Sequence, residues 1–156
     1  MAESPCAVVA IGGNALGGGS GPPSLAAQWD AARRTGEHLA ALVVAEGCRL
    51  VVTHGNGPQV GDVLRRSEIA AGEVPPLTMD MAVAQTQGSI GYALAEALRQ
   101  ALEDRGDHRP VAAIVTETVV AGDDPAFRNP TKPVGPFLTA DEAADRRRRH
   151  PGGVQP

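Results

Sequence analysis

The sequence has few of the features that mark secreted, membrane-spanning or nucleic-acid-binding proteins. Its 156 residues include only two cysteines, Cys6 and Cys48, which excludes a disulfide framework and suits a reducing cytoplasm. No apolar run is long enough to span a membrane, and no basic segment followed by an apolar run opens the chain, so we expect no membrane span and no signal peptide. The formal net charge of -4 argues against a general nucleic-acid binder, which needs a basic surface for phosphate contacts.

Aromatic residues and lysine are also scarce. Aromatics make up 3% of the chain, so a core must be built mainly from Val, Leu, Ile and Ala. Hydrophobic residues at 42% and charged residues at 21% are typical of one globular domain. The 14 basic residues include a single lysine, Lys132, which makes that residue a candidate for a specific role.

Short apolar runs alternate with segments of helical periodicity. This alternation indicates βαβ units and an α/β fold with a mainly parallel sheet and helices on both faces. The first helix begins after the N-cap Ser24 and ends at Gly47, and the second follows Pro58 toward Ala71. Strands are predicted at residues 7–11, 50–52, 111–115 and 117–121, and a long helix at residues 79–102.

The predicted long helix carries a stripe of small residues, Ala84, Gly88, Gly91 and Ala95, at helical spacing. Small side chains let another backbone approach closely. The stripe therefore fits two interpretations: internal packing against a neighbouring element, or contact with a second copy of the chain.

Glycines follow the first two predicted strands, at Gly12-Gly13 and at Gly55-Asn56-Gly57. In open α/β sheets ligands bind at the carboxyl ends of strands, and successive backbone N–H groups in a glycine-rich turn can surround an anion. A helix N-terminus behind such a turn adds its dipole. Tight turns without a ligand are the alternative interpretation of either loop.

The common nucleotide-binding patterns do not explain these loops. The glycines of GGNALGGGSG have the wrong spacing for the dinucleotide fingerprint, and no Gly-Lys-Ser/Thr occurs in the sequence. If phosphate is bound, a different architecture binds it.

Two other side chains are candidates for chemistry. Lys132, among the prolines of NPTKPVGP, could reach a phosphoryl group as a point charge, or be an ordinary exposed lysine. His54 could act as a base or a ligand, or simply bond to neighbouring backbone at the strand end. The histidines and cysteines lack zinc-type spacing, so we expect no metal site.

The amino-acid composition of the chain changes after Gly122. The proline-rich DDPAFRNPTKPVGPF predicts a structured excursion, and a short helix capped by Thr139 follows it. We expect residues 1–144 to form one unit with residues 122–144 as a protruding segment. Residues 145–156, with four arginines and a Pro/Gly end, are predicted to be disordered.

Four motifs together resemble the carbamate kinases, a group within the amino-acid-kinase fold. They are AIGGNAL, VVTHGNGPQVG, AQTQGSIGYALAEAL and DDPAFRNPTKPVGPF, spread from about residue 7 to about residue 144. The resemblance implies a three-layer αβα sandwich around a mainly parallel sheet. It also implies reversible phosphoryl transfer between ATP and carbamate with Mg²⁺, in a cytoplasmic homodimer, often serving arginine catabolism.

The resemblance also implies roles for individual residues. Gly12, Gly13 and Asn14 would hold the phosphoryl group through their amides, and Lys132 would neutralise its charge from the protruding segment. The carbamate side would be lined by the second loop, with His54 shaping it: Gly55, Asn56 and Gly57. The helix at residues 79–102 would form the dimer interface.

In the carbamate kinases the nucleotide site and further catalytic lysines lie in a C-terminal half, and no residue after 144 matches it. We therefore expect a truncated fold. Three functions remain open: an N-terminal half that acts with its missing half, a non-catalytic dimerising or anion-binding module, and a poorly folding remnant.

Overall fold

The computed structural model describes residues 4–16, 24–132, 134 and 138–149. It contains two strands, β1 Cys6–Ile11 and β2 Arg49–His54, and four helices: α1 Leu25–Glu46, α2 Gly57–Ala70, α3 Met79–Glu103 and α4 Ala140–Arg149. Short 3-10 turns lie at Gly13–Leu16 and Pro125–Phe127. In the described part of the chain, no helix combines the length and apolarity that a membrane crossing requires.

Local signals in the sequence set the bounds of α1. Ser24 has an extended backbone, and its side-chain oxygen accepts a hydrogen bond from the Ala27 amide at 3.1 Å. Gly47 ends the helix in the left-handed conformation with φ 57°, which glycine adopts without steric cost. Both predicted caps are confirmed.

Strands β1 and β2 form a parallel pair joined by α1, which is one βαβ unit. Their register places Cys6 opposite Arg49 and Ile11 opposite His54, so the two strands end at the same edge. Because side chains alternate between the two faces of a strand, Val8 and Val51 lie on one face and Val9 and Val52 on the other.

Helices α1 and α3 cover one face of this sheet. Half-buried strand residues, among them Val9 and Leu50, pack against a buried cluster on the two helices and the start of β2. The cluster consists of Leu39, Ala40, Val43, Cys48, Leu98, Ala101 and Leu102. The core is thus built from aliphatic side chains, as the scarcity of aromatics predicts.

A glycine sets the distance between α1 and α3. A Cβ atom added to Gly36 would lie 2.7 Å from the carbonyl carbon of Ala97, closer than real Cβ contacts come. The two helix backbones touch at this point, and only the missing side chain makes room for the contact.

Residues 111–115 and 117–121 are not strands in the structure, so the predicted third and fourth strands are wrong for the residues described. The segment lies against α3 instead, where the Thr116 amide donates to Gln87 Oε1 at 2.8 Å and Ala113 approaches Gly91. A strand requires a hydrogen-bonded neighbour for its backbone groups, and in the described residues the sheet consists of β1 and β2, with no ladder to this segment.

The C-terminal helix α4 begins with a capping box. The Thr139 hydroxyl accepts from the Glu142 amide at 3.3 Å, and the Glu142 carboxylate accepts from the Thr139 amide at 2.8 Å. An ion pair from Arg146 to Glu68 links α4 to α2. The predicted disorder from residue 145 is therefore wrong for residues 145–149, and residues 150–156 lie outside the described part.

Candidate functional site

The two glycine loops begin side by side. Because β1 and β2 are parallel and in register, the chain leaves both strands at one edge of the sheet. The Gly55 amide donates to the carbonyl oxygen of Ile11 at 2.9 Å, which continues the pairing one residue beyond the strands. The sequence-based prediction that the loops lie together is confirmed.

The loops touch backbone to backbone. A Cβ on Gly55 would lie 3.0 Å from the nitrogen of Gly13, and a Cβ on Gly13 would lie 3.2 Å from the nitrogen of Asn56. Any larger residue at either position would push the loops apart. Glycine is required here for close approach, and no aliphatic side chain separates the two loops.

Backbone N–H groups gather at this edge. The first loop turns into the 3-10 segment through a hydrogen bond from the Ala15 amide to the Gly12 carbonyl at 3.0 Å. The second loop opens α2, whose first intrahelical bond runs from the Val60 amide to the Asn56 carbonyl. The amides of Gly57 and Gln59 precede that bond, so the helix start has N–H groups without an intrahelical partner.

Gln59 joins the two loops and was not identified from the sequence. It lies in the first turn of α2, is 8% exposed, and donates from Nε2 to the Gly13 carbonyl at 3.3 Å. Its Oε1 is buried with no hydrogen-bond partner among the described residues, an arrangement that costs about 1–3 kcal/mol. A polar residue beside Val60 and Gly61 on the buried face of α2 was the available signal.

Thr86 supports the second loop from α3 and was also missed. It is 1% exposed, and its hydroxyl lies 3.0 Å and 2.9 Å from the carbonyl oxygens of Ala82 and Val83. That hydroxyl accepts a hydrogen bond from Asn56 Nδ2 at 2.9 Å. One N–H of the Asn56 amide is therefore directed at α3, which orients the loop.

The remaining predicted site residues differ in how close they lie to the two glycine loops. His54 is half-buried, with Nδ1 3.3 Å from the carbonyl oxygen of Gly55, which fits a residue that shapes the loop. Asn14 has its backbone in the 3-10 turn, and its side chain lies outside the described part. Lys132 is exposed, and no hydrogen bond or ion pair among the described residues joins it to either loop.

The chain matches the model of the amino acid kinase family over residues 5–143. It therefore belongs to the amino acid kinase family. Among curated relatives it is 46% identical over 145 residues to a carbamate kinase of Lentilactobacillus hilgardii, covering 92% of this chain and 45% of that protein. It is 43% identical over 149 residues to a carbamate kinase of Pyrococcus furiosus, covering 94% and 47%. The chain spans about half the length of these relatives.

Solved structures agree with this assignment. A carbamate kinase from Giardia lamblia bound to citric acid superimposes with a TM-score of 0.84 at 34% identity, covering 97% of this chain and 49% of that one. The same kinase bound to AMP-PNP gives a TM-score of 0.80. The predicted α/β fold of amino-acid-kinase type is confirmed, and the described residues make up part of it.

Proposed function

We propose that this chain is the phosphoryl- and carbamate-binding part of a carbamate kinase, which transfers a phosphoryl group reversibly between ATP and carbamate. The observation that carries the proposal is the backbone contact between the two glycine loops, where a Cβ added to Gly55 would lie 3.0 Å from the Gly13 nitrogen. The relatives named above are carbamate kinases, and this edge is where an α/β sheet binds ligands.

The loops are suited to an anion in transit. Phosphoryl transfer requires positioning and charge stabilisation more than covalent participation, so main-chain amides can provide much of the site. Gly12, Gly13 and Asn14 would hold the phosphoryl oxygens, while Gly55 and Gly57 face the carbamate. Asn56 would act partly through its bond to Thr86, which holds the second loop in place.

Lys132 would supply a positive charge at this edge. It is the only lysine of the chain and is exposed in the segment after Gly122. In the proposed mechanism this segment, residues 122–144, brings the ammonium group over the bound phosphoryl group. A single compact charge suits one phosphoryl oxygen.

ATP or ADP would be bound by the remaining part of such a kinase, and the match to a kinase solved with AMP-PNP supports nucleotide use. Mg²⁺ would accompany the nucleotide. Within the described ranges no three His, Cys, Asp or Glu side chains come together.

From the same similarity to carbamate kinases we also propose that the protein is a cytoplasmic enzyme of arginine catabolism and that it forms a homodimer through α3. The small-residue stripe divides between two uses. Gly91 packs internally, since a Cβ there would lie 3.0 Å from the Ala113 Cβ, whereas a Cβ on Gly88 would meet nothing within 4 Å. Gly88 is the part of the stripe open to a second copy.

A non-catalytic module that dimerises or binds anions is the second candidate. The uncovered face of the β1–β2 sheet favours it, because Val8 is 68% exposed and Val51 48% exposed. A chain with this face bare would pair with a carbamate kinase subunit rather than act alone. Co-purification with a full-length carbamate kinase tests this candidate, and its absence counts against it.

The main experiment titrates the full chain with inorganic phosphate and with carbamoyl phosphate, following backbone amides by NMR. We expect saturable shifts at Gly12, Gly13, Gly55 and Gly57. Gly55→Ala should weaken binding about tenfold, because its Cβ disturbs amides that make charge-assisted bonds. Gly72→Ala is the matched control, since a Cβ there meets nothing within 4 Å.

Two outcomes would contradict the proposal. Shifts spread over the surface without saturation would show that the loops do not form an anion site. Measurable ATP formation from carbamoyl phosphate and ADP by this chain alone would show that it does not depend on a further half.

A further inference from the structure

A cavity lies between α1, α2 and α3, and it adjoins the glycine edge because Gln59 and Thr86 are part of its lining. It has a volume of about 230 Å³ and is lined mainly by apolar side chains, including Leu16, Leu94 and the edge-to-face pair Trp29 and Tyr92. Ligand sites for drug-sized molecules enclose about 300–1,000 Å³. This cavity therefore suits a smaller molecule with an apolar body.

The polar groups of the cavity are few and specific. Gln59 contributes a side chain that is 8% exposed and whose Oε1 lacks a hydrogen-bond partner among the described residues. That oxygen has almost no accessible surface, so it does not face the open space of the cavity and is not counted among the groups that a ligand would contact.

Two opposite charges complete the lining. Asp62 and Arg66 stand four residues apart on α2, a spacing that places side chains on one helix face. Neither forms an ion pair with the other or with any other residue in the described part of the chain. Both charges are therefore available to a ligand.

We infer that this cavity binds a free α-amino acid with an apolar side chain. Asp62 receives the ammonium group, Arg66 receives the carboxylate, and the apolar lining receives the side chain. The inference does not require the proposed phosphoryl site, but the two sites adjoin, because Gln59 lines the cavity and its Nε2 bonds to the Gly13 carbonyl.

The experiment uses the full chain and L-leucine as the probe. Trp29 is the only tryptophan, so its fluorescence and its indole N–H signal report on this cavity alone. Isoamylamine lacks the carboxylate of leucine, and isocaproate lacks its ammonium group. We expect a saturable change with L-leucine and binding about tenfold weaker with either analogue, because each loses one charged contact.

Variants assign the two ends of the ligand. Asp62→Asn should weaken the binding of L-leucine and isoamylamine about tenfold and leave the binding of isocaproate unchanged. Arg66→Gln should weaken the binding of L-leucine and isocaproate about tenfold and leave the binding of isoamylamine unchanged. Arg34→Gln, an exposed charge change on α1 outside the cavity lining, is the control and should change nothing. Far-UV circular dichroism and melting curves establish that each variant is folded.

The inference is overturned if Trp29 shows no saturable change with L-leucine, or if either analogue binds as tightly as the amino acid. Unchanged L-leucine affinity in folded Asp62→Asn would also overturn it. Phosphate titration at the glycine loops, run on the same samples, separates these outcomes from failure of the proposed phosphoryl site.

Discussion

The two faces of the β1–β2 sheet both carry valines at their centre but have different surroundings. On the covered face, Val9 and Val52 pack against the α1–α3 cluster. On the opposite face, Val8 and Val51 are exposed. Outside the sheet, Ile114 and Val119 are also exposed, at 80% and 95%. Strands that are apolar on both faces are typical of parallel sheets covered on both sides. In the described part of the chain, the helices therefore cover one face of a sheet whose central valines are apolar on both faces.

The largest expected effect on stability is the contrast between a substitution in the buried α1–α3 cluster and a substitution on the exposed face of the sheet. Leu102→Ala should lower the free energy of unfolding by about 2–5 kcal/mol, because it opens a cavity at a residue that is 1% exposed. Val8→Ala, on the bare face, should change it by no more than about 0.5 kcal/mol. Urea denaturation of both variants measures the contrast. Equal losses would mean that the bare face is covered in solution.

The contact between α1 and α3 provides the next test. Gly36→Ala should destabilise the chain by about 1–3 kcal/mol, since the new Cβ meets the backbone of Ala97. Gly72→Ala, where a Cβ meets nothing within 4 Å, is its control and should change the free energy of unfolding by no more than about 0.5 kcal/mol. Thermal melts of the two variants compare them, and a stable Gly36→Ala protein would contradict the packing described here.

A smaller effect is expected at Thr86 of α3, which supports the second glycine loop through Asn56. Thr86→Val removes the hydroxyl that accepts from Asn56 Nδ2 and should cost about 1 kcal/mol. It should also broaden or shift the amide signals of Gly55 and Gly57, whereas Thr86→Ser keeps the hydroxyl and should preserve them. If Thr86→Val left these signals unchanged, Asn56 would not depend on α3 for its orientation.

The smallest effect concerns the turn that follows α3. Hydrogen bonds from Arg109 hold the pKa of the Asp107 carboxyl below its usual value, and Arg109 also donates to the Cys48 carbonyl at 2.6 Å. A carboxyl whose pKa is lower in the folded state stabilises the fold above its unfolded value of about 3.9. This contribution is lost as the pH falls through the lower folded value.

Asp107→Asn should therefore be slightly less stable than the parent near neutral pH, and the two should converge as the pH falls below about 3.9. Denaturant midpoints measured across this range provide the test. A constant difference at every pH would show that the carboxylate charge does not contribute.

The sequence predicted the elements whose signals are local. Ser24 and Gly47 bound α1 because each satisfies backbone groups within one turn. The glycines after β1 and β2 predicted that the loops share an edge, since parallel strands joined by one helix end together. Contacts distant in sequence were missed: Gln59 reaches Gly13, and its importance depends on a partner 46 residues away.

The failed predictions have the same origin. Residues 111–115 have the β-branched composition of a strand, yet they form no ladder in the described structure because a strand also needs a neighbour. Residues 145–149 looked like a solvated basic end. They are helical because the Thr139 capping box starts the helix and Arg146 pairs with Glu68 on α2.

By itself, the sequence determined the periodicity, the caps and the positions of the glycine-rich turns, since these depend on backbone sterics and hydrogen bonds within a few residues. Only the tertiary structure decided that Gln59 reaches the Gly13 carbonyl, that Asn56 reaches the Thr86 hydroxyl, how closely α1 approaches α3 at Gly36, and which sheet face is covered. Those outcomes depend on the three-dimensional packing of segments far apart in the chain, and no local pattern encodes such distances.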